Sequence, residues 1–282
     1  MLQYSYYPGC SLHSTGKEYG LSVEAVSRAL EIELHELFDW SCCGASSAHS
    51  TNSELAVALP ARNLVFAEKR GLDVMVPCAA CYNRFRLAQE RLAADAGLRG
   101  RVEESIGYPY QGTAIIRSPM DIFAYDIGCE AIAERVVKAL SGLKPVAYYG
   151  CLWLRPAEIA AEDPENPLLL DKILQALGAE CRQWSFATDC CGGSLTISRP
   201  DQVGRMVGGL LEMAREAGAN CLVTACPLCL ANLDMRQPDA SRLPVFYFTE
   251  LMALALGLAG PERWFKSHNV DPRPLLKSLQ LL

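Results

Sequence analysis

Cys42-Cys43-Gly44 and, further on, Cys78-Ala79-Ala80-Cys81 return 148 residues later as Cys190-Cys191-Gly192 and Cys226-Pro227-Leu228-Cys229. Ahead of each set stands one more cysteine in matching text: Tyr6-Tyr7-Pro8-Gly9-Cys10 and Tyr148-Tyr149-Gly150-Cys151, at an offset of 141. The stretch from Asp121-Ile122-Phe123 to Gly128 is echoed from Glu250-Leu251-Met252 to Gly257. Four cysteines sharing one offset mark an internal duplication, with expected halves of 1–143 and 144–282.

Working outward, each half opens on a short tyrosine-rich apolar run (Tyr4 to Pro8; Val146 to Gly150) that suits a buried strand. Helical periodicity follows over Tyr19 to Glu31 and over Pro167 to Leu177. A second strand is expected at Glu33 to Phe38 and at Glu180 to Phe186, leading into each Cys-Cys-Gly. Longer helices follow at Ser53 to Lys69, stopped by Gly71, and at Asp201 to Glu216, stopped by Gly218. A third strand (Asp73 to Val76; Cys221 to Ala225) runs into each Cys-x-x-Cys and another helix. This alternation predicts an α/β fold of two tandem, pseudo-symmetric, small parallel-sheet (Rossmann-like) cysteine-rich domains. The cysteines would then gather at the carboxyl edge of each sheet, where open parallel sheets bind ligands. Cys78 and Cys226 precede helices, whose N-terminal amides favour thiolate. Gly97 to Gly112, rich in Gly, Arg and Glu, reads as an exposed connection.

Three chemistries compete for the ten repeated cysteines. Buried cysteine can behave as a small hydrophobe, but core packing does not call for two identical doublets and two identical Cys-x-x-Cys pairs. That reading suits Cys129, Cys181 and Cys221, which have no counterparts; Cys181 and Cys221 fall in predicted strands. Structural zinc takes four ligands, often two from a Cys-x-x-Cys; five thiols with an adjacent doublet suit it poorly, and zinc in one half stays as an alternative. An iron–sulfur cluster ordinarily takes four cysteines, and one with a bridging thiolate would use five. The glycine after each doublet suits backbone that approaches inorganic sulfide.

At these residues the chain resembles the heterodisulfide reductase B-subunit family, defined by a duplicated cysteine-rich CCG domain, and the match spans nearly the whole length. The resemblance implies two noncubane four-iron four-sulfur clusters. Cys10, Cys42, Cys43, Cys78 and Cys81 would hold the first; Cys151, Cys190, Cys191, Cys226 and Cys229 would hold the second. It implies catalysis on a disulfide or thiol by one-electron steps, alongside a ferredoxin-like iron–sulfur subunit and a flavoprotein subunit. Related CCG domains serve in lactate-, fumarate- and sulfur-linked complexes, so a non-catalytic electron relay is the alternative. The substrate would be a small thiol or disulfide, or protein-bound sulfur.

The remaining sequence agrees with a partner-dependent subunit. There is no Gly-x-Gly-x-x-Gly fingerprint and no Cys-x2-Cys-x2-Cys-x3-Cys run. A net charge of −6 over 282 residues gives no nucleic-acid footprint. The N-terminus lacks the pattern of a signal peptide, and the apolar stretch Leu251 to Gly260 is too short to span a bilayer. With 13 cysteines and no export signal, a reducing, cytoplasmic location is expected, without a direct membrane span. His13 and His49 lie near first-half cysteines and could donate to sulfur. Lys17, Arg62 and Arg84 could neutralise charge there. Trp153 could wall the second site or anchor a neighbouring helix.

Overall fold

A computed structural model describes residues 1–45, 48–238 and 242–282. The first half supplies β1 (Leu2–Tyr6), α1 (Gly9–Leu12), α2 (Lys17–Ala29), β2 (Ile32–Glu36), α3 (Ala48–Thr51), α4 (Leu55–Arg70), β3 (Val74–Met75) and α5 (Ala79–Ala94). It continues through α6 (Ala96–Ile106), β4 (Ile116–Arg117), α7 (Pro119–Asp121), a π-helical segment Ile122–Gly128 and α8 (Cys129–Glu134). The second half supplies β5 (Pro145–Tyr148), α9 (Leu169–Ala176), α10 (Pro200–Glu216), β6 (Cys221–Thr224) and α11 (Pro227–Met235). It ends with β7 (Val245–Tyr247), α12 (Phe248–Ala255), α13 (Pro261–Trp264) and α14 (Arg273–Ser278).

All strand pairings are parallel, in one sheet ordered β2-β1-β3-β4 and another ordered β5-β6-β7. Helices cover both faces, so inner strands read as apolar runs, not alternating ones; all four residues of β5 and of β6 are buried. The duplication is therefore visible in space. Gly71 closes α4 in the left-handed conformation, φ +70°, its amide bonding back to Ala67 and Glu68.

Two expectations need correction. Glu180–Phe186 forms no strand. The Glu180 and Arg182 amides reach the Leu143 and Pro145 carbonyls, but the Trp184 indole then takes the Ala147 carbonyl at 2.9 Å. That side chain occupies the acceptor the next ladder bond would need, the chain turns away, and the second sheet stops at β5. Cys181 accordingly lies in irregular chain, half-buried, whereas Cys221 is fully buried in β6. Cys129 is half-buried at the start of α8.

The connection expected at Gly97 to Gly112 instead contains α6. Asp95 caps it by accepting from the Leu98 amide, Leu98 and Val102 supply a buried face four residues apart, and Gly107 ends it at φ +73°. Gly97 and Gly100 disguise the helix locally; packing against α4 and α5 overrides their low propensity.

The halves are not separate bodies laid side by side. One hydrophobic core runs through both. Ser22 of α2 and Thr249 of α12 share a buried 2.6 Å hydrogen bond, and Phe123 packs on Phe248. Each half thus lends the helices after its last strand to its twin.

Candidate metal-sulfur centres

Each site begins where a strand ends. β1 and β5 run into Gly9 and Gly150, both at φ +66°, and then into Cys10 and Cys151. The left-handed turn aims the chain across the sheet edge, and space is as decisive as φ. A Cβ on Gly9 would stand 3.3 Å from the Cys81 sulfur, and one on Gly150 would stand 3.1 Å from the Cys229 sulfur. Glycine is the residue that lets strand end and Cys-x-x-Cys meet.

The doublets follow the same logic. Gly44 and Gly192 both sit at φ +78°. A Cβ there would press on Ala48 and Leu59 in one half and on Met206 and Val203 in the other. The resulting turn points successive amides at sulfur. Gly44 N donates to Cys42 Sγ (3.4 Å) and Gly192 N to Cys190 Sγ (3.3 Å). The next amides, of Ala45 and Gly193, serve Cys43 and Cys191. Turned amides of this kind form an anion-holding nest. The turn also sends the two sulfurs apart: Cys42 and Cys190 are exposed, Cys43 and Cys191 buried.

Cys78 and Cys226 are the N-caps of α5 and α11 in extended conformation, with Cys81 and Cys229 one turn inside. Cys43 and Cys81 sulfurs lie 3.0 Å apart, and Cys191 and Cys229 sulfurs 3.6 Å apart. Hydrogen bonds from Cys42 and Cys81 hold the Cys43 thiol down at about 4. In the second half a bond from Cys151 lowers Cys190 to about 6. Cys78 is lowered by Cys81 and by the first helical amides. The donors of these bonds, Cys42, Cys81 and Cys151, are correspondingly raised. Burial, and then the neighbouring thiols, raise Tyr7 and Tyr148, whose hydroxyls stay protonated.

All thirteen cysteines are free thiols, and the ten repeated ones form two equivalent quintets along the chain, in contact pairwise, with Cys43 against Cys81 and Cys191 against Cys229. In the first, Cys10 stands exposed at the rim near Cys42. The sulfurs associate in pairs; among the described residues no group of three or more His, Cys, Asp or Glu side chains is arranged to hold a metal ion. The donors still fit an iron–sulfur group in kind and number: five thiols per site, two sulfur-directed amides at each doublet, and glycines where a Cβ would fill the space beside sulfur.

The secondary candidates separate. Arg62 is engaged elsewhere, bonded to the Asp39 carbonyl and carboxylate. His13 is exposed, stacks on Trp40 and faces Glu36 at 3.9 Å. His49 is exposed on α3, and Lys17 is exposed at the start of α2. Arg84 feels the charge of Cys43. Trp153 lies against Tyr82 of the first half, centroids 5.0 Å apart, so it anchors a neighbouring helix.

That contact belongs to a reciprocal arrangement invisible in the sequence. The loop after Cys151 sits on α5 of the first half: Asn83 Nδ2 donates to the carbonyls of Leu152 (3.2 Å) and Arg155 (2.6 Å), and Tyr82 Oη to that of Ile159. The loop after Cys10 sits on α11 of the second half. Gly16 is so close to Pro227 that a Cβ would come within 2.8 Å, and Tyr19 Oη donates to the Ala225 carbonyl beside Cys226. Asn83→Ala removes two buried donors and is expected to destabilise the chain by about 1–3 kcal/mol. The midpoint of urea unfolding checks this; an unchanged midpoint refutes the seating.

The CCG cysteine-rich domain family matches this chain twice, over residues 4–86 and 146–234. Among similar proteins is the 8-methylmenaquinol:fumarate reductase membrane anchor subunit of Wolinella succinogenes, 33% identical, covering 97% of this chain and 99% of that protein. A protein of Archaeoglobus profundus described as like the heterodisulfide reductase B subunit is 30% identical, with 93% of each chain covered. The B subunit of the ferredoxin:CoB-CoM heterodisulfide reductase of Methanosarcina mazei is 27% identical, covering 96% of this chain and 95% of that one. In fold, the chain is similar to a hypothetical protein from Helicobacter pylori, with a TM-score of 0.74 at 10% identity. That match covers 95% of this chain and spans about half, 51%, of the other.

Proposed function

The chain belongs to the heterodisulfide reductase B-subunit family of duplicated CCG proteins, and from that premise we propose that it is the thiol/disulfide redox subunit of a multi-subunit oxidoreductase. The observation that carries this reading is that the same contacts recur in both halves: an amide aimed at the first sulfur of each doublet, and the second sulfur against the last cysteine of the Cys-x-x-Cys. Cys10, Cys42, Cys43, Cys78 and Cys81 would hold one noncubane four-iron four-sulfur cluster, and Cys151, Cys190, Cys191, Cys226 and Cys229 the other. The division into 1–143 and 144–282 belongs to the same reading. When bound, such a group supplies one-electron chemistry to a thiol couple that changes by two electrons.

The chain's own residues divide the remaining work. Cys43, Cys78, Cys81, Cys191, Cys226 and Cys229 are buried and keep water from the inner side of each site. Cys10, Cys42 and Cys190 are exposed and set the rim that a substrate sulfur or a partner must approach. Electrons come from partner subunits, a ferredoxin-like and a flavin-bearing one in this reading. Among the described residues no helix is long and apolar enough to cross a membrane; thirteen free thiols favour a reducing, cytoplasmic setting, with any membrane contact made through a partner.

Protein purified without oxygen is expected to carry about eight irons per chain, from two four-iron groups. Zinc in their place overturns the assignment. Catalysis and relay separate on the isolated subunit: a change in the oxidised protein's paramagnetic resonance spectrum on adding thiol or disulfide supports catalysis. Silence, with competent electron transfer to partners, makes the chain a relay.

A further inference from the structure

Tyr7 and Tyr148 stand three residues before Cys10 and Cys151, and both are fully buried. Tyr7 Oη donates to the Ser41 carbonyl at 2.8 Å, and Tyr148 Oη to the Asp189 carbonyl at 2.6 Å. Ser41 and Asp189 are the residues immediately ahead of the two cysteine doublets. The ring edges meet the turns as well. A Cβ on Gly9 would lie 3.1 Å from Tyr7 Cε1, and one on Gly150 would lie 3.4 Å from Tyr148 Cε1. One side chain per half therefore touches the strand-end turn and ties down the doublet loop.

We propose that Tyr7 and Tyr148 are positioning residues whose hydroxyls latch the peptide ahead of each doublet, holding Cys43 and Cys191 inward against Cys81 and Cys229. The proposal rests on the reading of the doublets as ligands, but the latch has a signature of its own. The two latches are unequal. Asn63 also grips Ser41, accepting from its amide at 2.8 Å and donating to its carbonyl at 3.0 Å. The corresponding position in the second half is Leu211, and among the described residues Tyr148 is the one side chain that donates to the Asp189 carbonyl.

The test is pulse labelling of the full chain with N-ethylmaleimide under anaerobic conditions, read cysteine by cysteine in a mass spectrometer, with iron measured on the same samples. Tyr148→Phe is expected to speed labelling of Cys191 about tenfold, the loss of one buried hydrogen bond, and to leave Cys43 at the wild-type rate. Tyr7→Phe should speed Cys43 less, because Asn63 still holds Ser41. Adding Asn63→Leu to Tyr7→Phe should bring Cys43 up to the size of the Tyr148→Phe effect. The control is Tyr149→Phe, which loses a buried bond to Asp171 and the acceptor of the Leu170 amide and should leave Cys191 protected. Unchanged Cys191 labelling in Tyr148→Phe, or an equal rise in Tyr149→Phe, overturns the latch. Should Tyr148→Phe not fold, the Tyr7→Phe/Asn63→Leu arm decides alone. Iron content is a separate readout: labelling that follows this order without bound iron keeps the latch and discards the cluster.

Discussion

Gly150→Ala is expected to halve the iron content, from about eight to about four per chain, while the first quintet keeps its share. Two costs fall on that alanine. At φ +66° an L side chain is strained by about 1–2 kcal/mol. Its Cβ would also stand 3.1 Å from the Cys229 sulfur, closer than ordinary contact, inside a site where Cys229 is buried and already 3.6 Å from Cys191. The sulfur must move, and the second quintet loses its shape. Gly71→Ala separates the two costs. It imposes the same backbone strain at φ +70° with nothing within 4 Å of the new Cβ, so it should lower stability and keep all the iron. Full iron in Gly150→Ala would show that the glycine is not needed beside sulfur; Gly9→Ala should strike the first site in the same way.

His268→Gln is expected to cost about 3–5 kcal/mol of stability near neutral pH, because it leaves a buried carboxylate without its charge partner. His268 Nε2 lies 3.0 Å from Glu250 Oε1, with both side chains buried, and the other Glu250 oxygen accepts the Tyr247 amide at α12's start. Burial pulls the histidine pKa down. The charge and hydrogen bond of Glu250, with help from Asp234, more than offset it and push it up to about 9. The folded value exceeds the unfolded one, so the stabilisation is complete below about pH 6.5 and lost as pH rises through about 9. Its size is on the order of 3 kcal/mol at most. Wild-type protein should therefore lose stability between pH 7 and 9 more steeply than His268→Gln, measured by denaturant midpoints in matched buffers. Parallel slopes would rule out a charged pair. Asp234 fastens the adjoining chain through the Asn269 and Val270 amides, so the pair's loss should free the C-terminal segment first.

Much of the candidate site stands out in the sequence because it is written in residue types that have few other reasons to recur. A shared offset needs no structure to be seen, and the strand before each Cys-x-x-Cys followed from apolar runs bounded by glycine and proline. The glycines of the two doublets were read as places where backbone approaches sulfur; their left-handed turn, at φ +78°, came only with the structure. The failures were local patterns decided by distant partners. Glu180–Phe186 has a strand's composition, yet one indole nitrogen from Trp184 takes the carbonyl that a ladder requires. The Gly97 to Gly112 stretch has a loop's composition, yet Leu98 and Val102 find a buried face and make it helical.

By itself, then, the order of amino acids determined the duplication, the parallel α/β class and the ten repeated cysteines, because periodicity and spacing are properties of the chain alone. Only the tertiary structure decided which sulfurs face solvent, which tyrosine holds which loop, and that each cysteine loop rests on the helix of the opposite half. Those outcomes depend on contacts between residues far apart in the chain, 206 positions in the case of Tyr19 and Ala225. Hydrogen bonds between such residues are set by how the sheets and helices pack, and no local pattern records them.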